Sequence, residues 1–393
     1  MRKISADLIF PISQPPVKNG IIMLDNNNIV ADIINPGKIN YEIPDVEKFK
    51  GFICPGFINT HCHLELSFLK NKITGKKGLN DFILAVQQLK KGNIDVIQEA
   101  IVLADKEMFN NGIKAVGDIS NNNLSFSLKK NSKIIYHTFI EVFGSDPDCA
   151  EKVFGKALKL SAEISGSSSI SIVPHSPYSV SKELFDKIRI HAIKNNSILC
   201  MHNQESDDEN NFFRNKTGGI DNRMKLLGII NTSFKPTGLN SLPSVAQFLP
   251  KENPFLLVHN TVSTAYDIAF AINYFKNPCW CFCPNSNLFI ENKLPDFNLF
   301  LNLEDHITVG TDSLASNKSL SVLEELKIIQ FSLPSIELNT LLKWGTINGA
   351  AFLNLQNSLG SIKKGKNPGI NLIENIDLLN IKLSEKSSVK VLA

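Results

Sequence analysis

The chain has 393 residues, 43% of them hydrophobic and 20% charged, and its 41 basic and 38 acidic side chains leave a formal net charge of +3. That length accommodates one large core or two to three domains, and the composition is that of an ordinary soluble globular protein. The near balance of charge gives no reason to invoke nucleic acid or an anionic membrane as the main partner.

The N-terminal segment, Met1–Phe10, is interrupted by Asp7 and lacks the apolar stretch of a signal peptide. No later run is long enough to span a bilayer. Short strands are predicted at Ala6–Phe10, Gly20–Leu24 and Asn28–Ile33, with Asn26–Asn28 as a hairpin turn. From Gly56 onward, apolar β-rich runs recur with helical stretches between them. They are Gly56–His63, Ile113–Ile119, Ile134–Phe143, Ile170–His175, Ile198–His202, Phe255–His259, Cys279–Cys283 and Ile307–Asp312. Leu79–Leu89 is one intervening segment with helical period. Strands alternating with helices imply a parallel sheet, and eight such units over about 250 residues predict a (β/α)8 TIM barrel.

An insertion from about Asp207 to Phe248, containing Phe212-Phe213-Arg214 and Gly218-Gly219, separates the fifth and sixth strands. Two readings fit it: a lid or substrate wall at the active face, or a pair of surface helices. After Leu359 the style of the N-terminus returns in Gly360–Ile362 and Gly369–Ile373. The expected organisation is α/β, with residues 1–54 and 356–393 sharing one small β-sandwich domain and residues 55–355 forming the barrel. The seven cysteines are odd in number and scattered, which fits a reduced, cytoplasmic setting. Cys279, Cys281 and Cys283 lack the usual C-x-x-C zinc spacing and read as a buried strand, where free cysteine behaves as a small hydrophobe.

The predicted strands end alike. His61 and His63 close the first, Asp118 the second, and Glu141 belongs to the third. His175 closes the fourth, His202 the fifth, His259 the sixth and Asp312 the eighth. In barrel enzymes the chemistry sits at these C-terminal ends. Each residue taken singly reads more readily as a core, turn or cap residue; their concordance at strand ends is the signal. His137, His191 and His306 fall mid-strand, in a helix or before a strand, and are given no role.

Residues i and i+2 of a strand share a face, so His61 and His63 can address one cation. Imidazole suits a borderline-soft ion such as zinc or iron. His202 offers a third imidazole and Asp312 a carboxylate. Three histidines and one carboxylate around an open position make a catalytic site, at which the pKa of bound water falls towards ~7. Glu205, three residues beyond His202, is placed to shuttle a proton without being a ligand. His259 is placed to orient the nucleophile or steady a tetrahedral intermediate.

Several segments together resemble the amidohydrolase superfamily, in its branch of purine and nucleoside deaminases and triazine hydrolases. Pro55-Gly56-Phe57-Ile58-Asn59-Thr60-His61-Cys62-His63 is similar to that branch's P-G-[LF]-[IV]-N-x-H-x-H, and His202 with Glu205 to its H-x-x-E. Leu257-Val258-His259-Asn260 resembles the branch's fourth-histidine strand, and Cys283-Pro284-Asn285-Ser286-Asn287 its C-P-x-S-N. Gly310-Thr311-Asp312-Ser313-Leu314-Ala315-Ser316-Asn317 resembles G-T-D-G-x-x-S-N, with Ser313 in place of glycine. The resemblance implies one Zn2+ or Fe2+ held by His61, His63, His202 and Asp312, with Glu205 as acid/base and His259 assisting the nucleophile. Asp312 then serves both as ligand and as a member of the catalytic set.

The fourth strand ends Val173-Pro174-His175-Ser176-Pro177-Tyr178-Ser179, without the carboxylated lysine of binuclear members, which implies a mononuclear site with His175 on the substrate. Ser286, Asn287 and Ser316 are expected on the substrate side as well. His63-Leu64-Glu65-Leu66-Ser67 and Ser316 to Leu326 resemble aminodeoxyfutalosine deaminases. Glu65 and Glu141 each have two readings, as acceptors for a ribose or ring N–H, or as rim salt bridges.

The implied reaction is hydrolytic deamination of an adenine-like nucleobase or nucleoside: hydroxide attacks the amino-bearing carbon and ammonia leaves. Alternatives keep the site but change the scissile group to a cyclic amide, an imidazolone or a C–Cl bond. A non-catalytic relative is the other class, against which the intact ligand set and Glu205 argue. A small-molecule substrate, no nucleic-acid or membrane partner, and a homodimer complete the expectation.

Overall fold

The computed structural model describes residues 1–39, 41–89, 91–164, 166, 169–226 and 234–393. Strands from both chain ends are hydrogen-bonded into one seven-stranded sheet. Arg2–Ile9 runs antiparallel to Ile21–Leu24 and parallel to Glu47–Pro55. Ile370–Glu374 returns from the C-terminal region to pair antiparallel with Glu47–Pro55, and Ser388–Val391 pairs with it in turn. The predicted hairpin turn is present: Asp25 N–H donates to the Ile29 carbonyl at 3.0 Å and Asn28 takes a φ of +60°. Ile4, Ile22, Leu24, Ile53, Ile370 and Leu372 give this sheet a core of its own.

The eight predicted apolar runs form two parallel sheets. Phe57–Cys62 (β1), Ile113–Ser120 (β2), Ile135–Val142 (β3) and Ser169–Pro174 (β4) make the first. Leu199–Asn203 (β5), Phe255–His259 (β6), Pro278–Phe282 (β7) and Ile307–Val309 (β8) make the second. Their edges touch on both sides. His202 N–H on β5 donates to the His175 carbonyl just past β4 at 2.9 Å, and Thr311 and Asp312 N–H past β8 donate to the His61 carbonyl on β1 at 3.1 Å.

Strands covered on both faces read as continuous apolar runs, and β6, Phe-Leu-Leu-Val-His, is buried at every position. The helices around them present one apolar stripe. Ile94–Asn110 buries Ile97, Ile101, Ala104 and Met108, spaced by three and four residues, and starts at Asn93, whose side chain accepts the Asp95 N–H. The predicted helix Leu79–Leu89 is also present.

β8 is shorter than its apolar run because the chain turns at Gly310. A Cβ there would lie 2.8 Å from both the Cys281 sulfur and the His61 Cβ, so only glycine lets the chain pass this close to β1. The insertion after β5 contains helices Asp207–Asn215, Gly219–Leu226 and Ser241–Val245, and its residues 227–233 lie outside the described residues. All seven cysteines are free; of the run read as a buried strand, Cys279 is half-buried and Cys281 buried in β7, while Cys283 is buried just past the strand's end. Among the described residues no helix is long and apolar enough to cross a membrane.

Candidate active site

The strand ends bring four side chains to one point. Nε2 of His63 lies 3.2 Å from Nε2 of His61 and 3.3 Å from Nε2 of His202. Oδ1 of Asp312 lies 3.5 Å from His63 Nε2 and 3.8 Å from His61 Nε2. A tetrahedral ion with bonds of about 2.0–2.1 Å to nitrogen has ligand–ligand edges of about 3.3–3.4 Å, close to these separations. Lone pairs of neighbouring imidazoles this close repel unless a proton or a cation lies between them. Burial disfavours the proton: it holds His61 well below the ordinary imidazole pKa and His63 and His202 down at about 4. The donor set therefore fits a divalent metal ion. Among the described residues, three groups of histidine and acidic side chains are close enough to hold an ion: His61, His63 and Asp312; His61, His202 and His259; and His63, Glu141 and His202.

Neighbours fix the ligands' orientation. Nδ1 of His202 is 2.8 Å from the His175 carbonyl, to which it donates, leaving Nε2 unprotonated towards the cluster. Nδ1 of His61 faces the Cys200 sulfur at 3.7 Å. Asp312 takes a φ of +54° and uses Oδ2 to accept the hydroxyls of Ser286 at 2.6 Å and Ser316 at 2.7 Å, which leaves Oδ1 for the imidazoles. Burial pushes the Asp312 carboxyl up, but His63, His259 and the two hydroxyls outweigh it and hold the group below its ordinary value.

Glu205 and His259 stand beside the cluster, with Oε1 and Nε2 separated by 3.6 Å. Burial, with Asp312 and Glu209 adding to it, holds the Glu205 carboxyl well above the ordinary range. Burial lowers His259, opposed by Asp312 and Asn287.

These groups open onto a cavity of about 1120 Å³. Its floor includes His63, Glu65, Glu141, His175, Glu205 and Asp312, and its outer wall includes Phe68, Phe82, Val86, Phe143 and Met224. Asn121 ties the two floor carboxylates together. Its N–H donates to Glu65 at 3.1 Å and its amide to Glu141 Oε2 at 3.1 Å. Among the described residues neither glutamate has a lysine or arginine partner, and Oε1 of Glu141 lies 3.6 Å from Nδ1 of His202. Burial pushes Glu65 up to about 7 and Glu141 up to about 8. Nδ1 of His175 is engaged by the hydroxyls of Ser176 and Ser179 at 2.9 and 2.8 Å, so Nε2 is the nitrogen left for a ligand.

Three expected substrate residues need correcting. Ser286, Asn287 and Ser316 are fully or almost fully buried and do not line the cavity. The two serines spend their hydroxyls on Asp312 and on each other, and the Asn287 amide donates to the Thr261 hydroxyl. Asp118, at its strand end, turns away into a buried ion pair with Lys129 at 2.5 Å and accepts the Leu64 N–H at 2.8 Å.

Sequence reasoning missed Asn121, Tyr178 and Arg223. Arg223, on the helix Gly219–Leu226, lines the cavity with its guanidinium over the Tyr178 ring, and its Nη1 is buried with no hydrogen-bond partner among the described residues. The insertion thus contributes to the wall of the cavity. No periodicity flags an arginine in such a segment.

Imidazoles and a carboxylate converging at strand ends, beside a buried glutamate, mark a hydrolase that works with a metal. The chain belongs to the amidohydrolase family, whose sequence profile matches residues 52–391. It is 28% identical over 320 residues to the adenosine deaminase of Helicobacter pylori, covering 80% of this chain and 76% of that protein. It is 24% identical to the 5'-deoxyadenosine deaminase of Methanococcus vannielii, covering 93% and 85%. Its fold is similar to that of Helicobacter pylori aminofutalosine deaminase in complex with methylthio-coformycin, with a TM-score of 0.80, 23% identity and coverage of 95% and 92%.

Proposed function

We propose that this chain is a metal-dependent hydrolase that deaminates an adenine nucleoside carrying a substituent on its sugar. The observation that carries this reading is the buried Glu205 carboxyl beside His259 and the four-residue cluster, facing a cavity with room for a whole nucleoside. His61, His63, His202 and Asp312 would hold one Zn2+ or Fe2+. Bound there, such an ion supplies a water molecule acidic enough to act as nucleophile near neutral pH.

The chain's own residues do the rest. Glu205 delivers its proton to the ring nitrogen next to the amino-bearing carbon, and His259 orients the attacking water. Water adds at that carbon and gives up a proton to Glu205, which passes it to the amino group, and ammonia leaves as the C–N bond breaks. Glu65, Glu141 and His175 orient the ring and sugar from the floor.

The cavity is larger than the range of about 300–1,000 Å³ usual for small-molecule sites, and its lining combines apolar side chains with polar ones such as Gln87, Asn122, Asp146, Asp148 and Arg223. That supports an extended substrate, in keeping with relatives that act on modified adenosines. We further propose that the two parallel sheets close as one (β/α)8 barrel spanning residues 55–355. Residues 1–54 and 356–393 then form a β-sandwich around their separate core, in a cytoplasmic homodimer.

The test is ammonia release and the accompanying ultraviolet shift, using metal-loaded protein and a panel of adenosine, 5'-deoxyadenosine, 5'-methylthioadenosine and aminofutalosine. The reading predicts turnover of at least one, with extended nucleosides ahead of free adenine. If none of these is deaminated, and no guanine, cytosine or triazine compound either, the reading is wrong.

A further inference from the structure

We propose that Glu209 is the positioning residue that aims Glu205 at the reacting atoms; this deepens the deaminase reading and rests on it. β5 ends at Asn203, and Glu205 lies beyond a sharp turn at Gln204, which takes a φ of +47°. A non-glycine residue in the left-handed region is held there only when its surroundings over-determine it. Gln204 is gripped from several sides. Its N–H donates to Oε1 of Glu209 at 2.9 Å, and its carbonyl accepts the Val262 N–H at 3.0 Å. Its side-chain oxygen accepts the Ser263 hydroxyl. The next N–H, that of Glu205 itself, donates to Oε2 of the same Glu209 at 3.2 Å. One carboxylate therefore clamps the peptide units on both sides of the Gln204 Cα.

The placement is specific to Glu209. It is the third residue of the helix Asp207–Asn215, where a glutamate normally folds back to the residue that caps the helix. Here it reaches past Ser206, whose buried hydroxyl makes no hydrogen bond, to the two residues before it. The other acids of that turn are engaged elsewhere, Asp207 with Lys293 at 3.0 Å and Asp208 with the Asn80 amide at 2.6 Å. Glu209 is fully buried and has no basic partner within salt-bridge distance among the described residues. A buried, unpaired carboxyl is an expensive way to cap a helix. What it secures is the direction of Glu205, which leaves the turn facing His259 Nε2 at 3.6 Å.

The test compares wild type, Glu209→Gln, Glu205→Gln and the double variant, all metal-loaded, on whichever nucleoside the wild type deaminates. Glu209→Gln turns an NH2 towards one of the two N–H donors. It should keep its metal stoichiometry and a cooperative melt, lose about 10²-fold in kcat, and leave KM nearly unchanged. The double variant should be no slower than Glu205→Gln alone, because the clamp acts only through Glu205. Wild-type kcat in Glu209→Gln, or a loss that multiplies in full onto Glu205→Gln, overturns the proposal. If Glu209→Gln does not fold, Glu209→Asp, which keeps the charge but withdraws the acceptor, carries the same comparison. A structure of the variant separates this proposal from the functional reading: a Glu205–His259 separation still at 3.6 Å refutes the clamp even if no substrate is turned over.

Discussion

The two parallel sheets contribute equally to the proposed metal site and unequally to everything around it. β1–β4 bring His61 and His63, and with them Glu65, Glu141 and His175 on the cavity floor. β5–β8 bring His202 and Asp312, and with them Glu205 and His259. The halves are also held differently. In the first, the turn after β1 is pinned by the Asp118–Lys129 ion pair through the Leu64 N–H. In the second, Gln204, His259 and Asp312 all take left-handed backbone conformations, at φ of +47°, +74° and +54°. Buried carboxylates that have no basic partner among the described residues, Glu209 and Glu325, hold the nearby turns by accepting N–H groups. Strain of this kind collects where groups must be aimed. On the proposed reading, bond-making falls to the second half and substrate orientation to the first, with the metal ion held between the two.

Substitutions should divide along that line. The largest effect is expected from Glu205→Gln, which should keep stoichiometric metal yet lose about 10²–10⁴-fold in turnover, the usual contribution of a general acid or base. Metal analysis and ammonia release read both quantities. In the first half, Asp118→Asn leaves Lys129 buried without its partner and should destabilise the protein by about 3–5 kcal/mol, read by denaturant unfolding. An unchanged midpoint would mean that the pair does not pin the half. Glu65→Gln should raise KM by about 10-fold, the worth of a hydrogen bond to a charged group, with kcat little changed. If Glu65→Gln instead lowers kcat as far as Glu205→Gln does, the division between the halves is wrong.

The same division bears on what the sequence could reveal. Strands are legible because most of their residues are buried on both faces, so apolar side chains dominate them, most plainly in β6, whose apolar run ends in His259. The cluster was legible because His61 and His63, or His202 and Glu205, lie within a few residues of each other. The roles of Ser286 and Ser316 were not. A motif records that they accompany Asp312, but whether they face the cavity or the back of the carboxylate is decided by the left-handed turn at Asp312. Arg223 and Asn121 were invisible for another reason: their importance lies in contacts with Tyr178, Glu65 and Glu141, far away in the chain. Glu209 sits four residues after Glu205, a spacing that drew no attention because a helix start is ordinarily acidic.

One buried carboxyl of the second half, which has no basic partner among the described residues, has a consequence for stability. Glu325 is fully buried and accepts the Asn285 N–H at 2.8 Å and the Asn317 amide at 2.7 Å, and that amide also donates to the Thr311 carbonyl beside Asp312. Burial pushes its pKa from 4.5 up to about 8. Between those values the folded protein holds a proton that the unfolded chain has released. Stability from this group is therefore complete below about 4.5 and is lost as pH rises through about 8. Glu325→Gln cannot titrate, so whatever constant penalty it brings, its melting temperature should gain on the wild type as pH is raised from 5 to 8.5, most steeply below about 8. Thermal melts of the two proteins across that range measure the gap directly. Parallel curves would show that Glu325 is already ionised in the fold, and that the turn beside Asp312 is held by a charge rather than by a neutral acid.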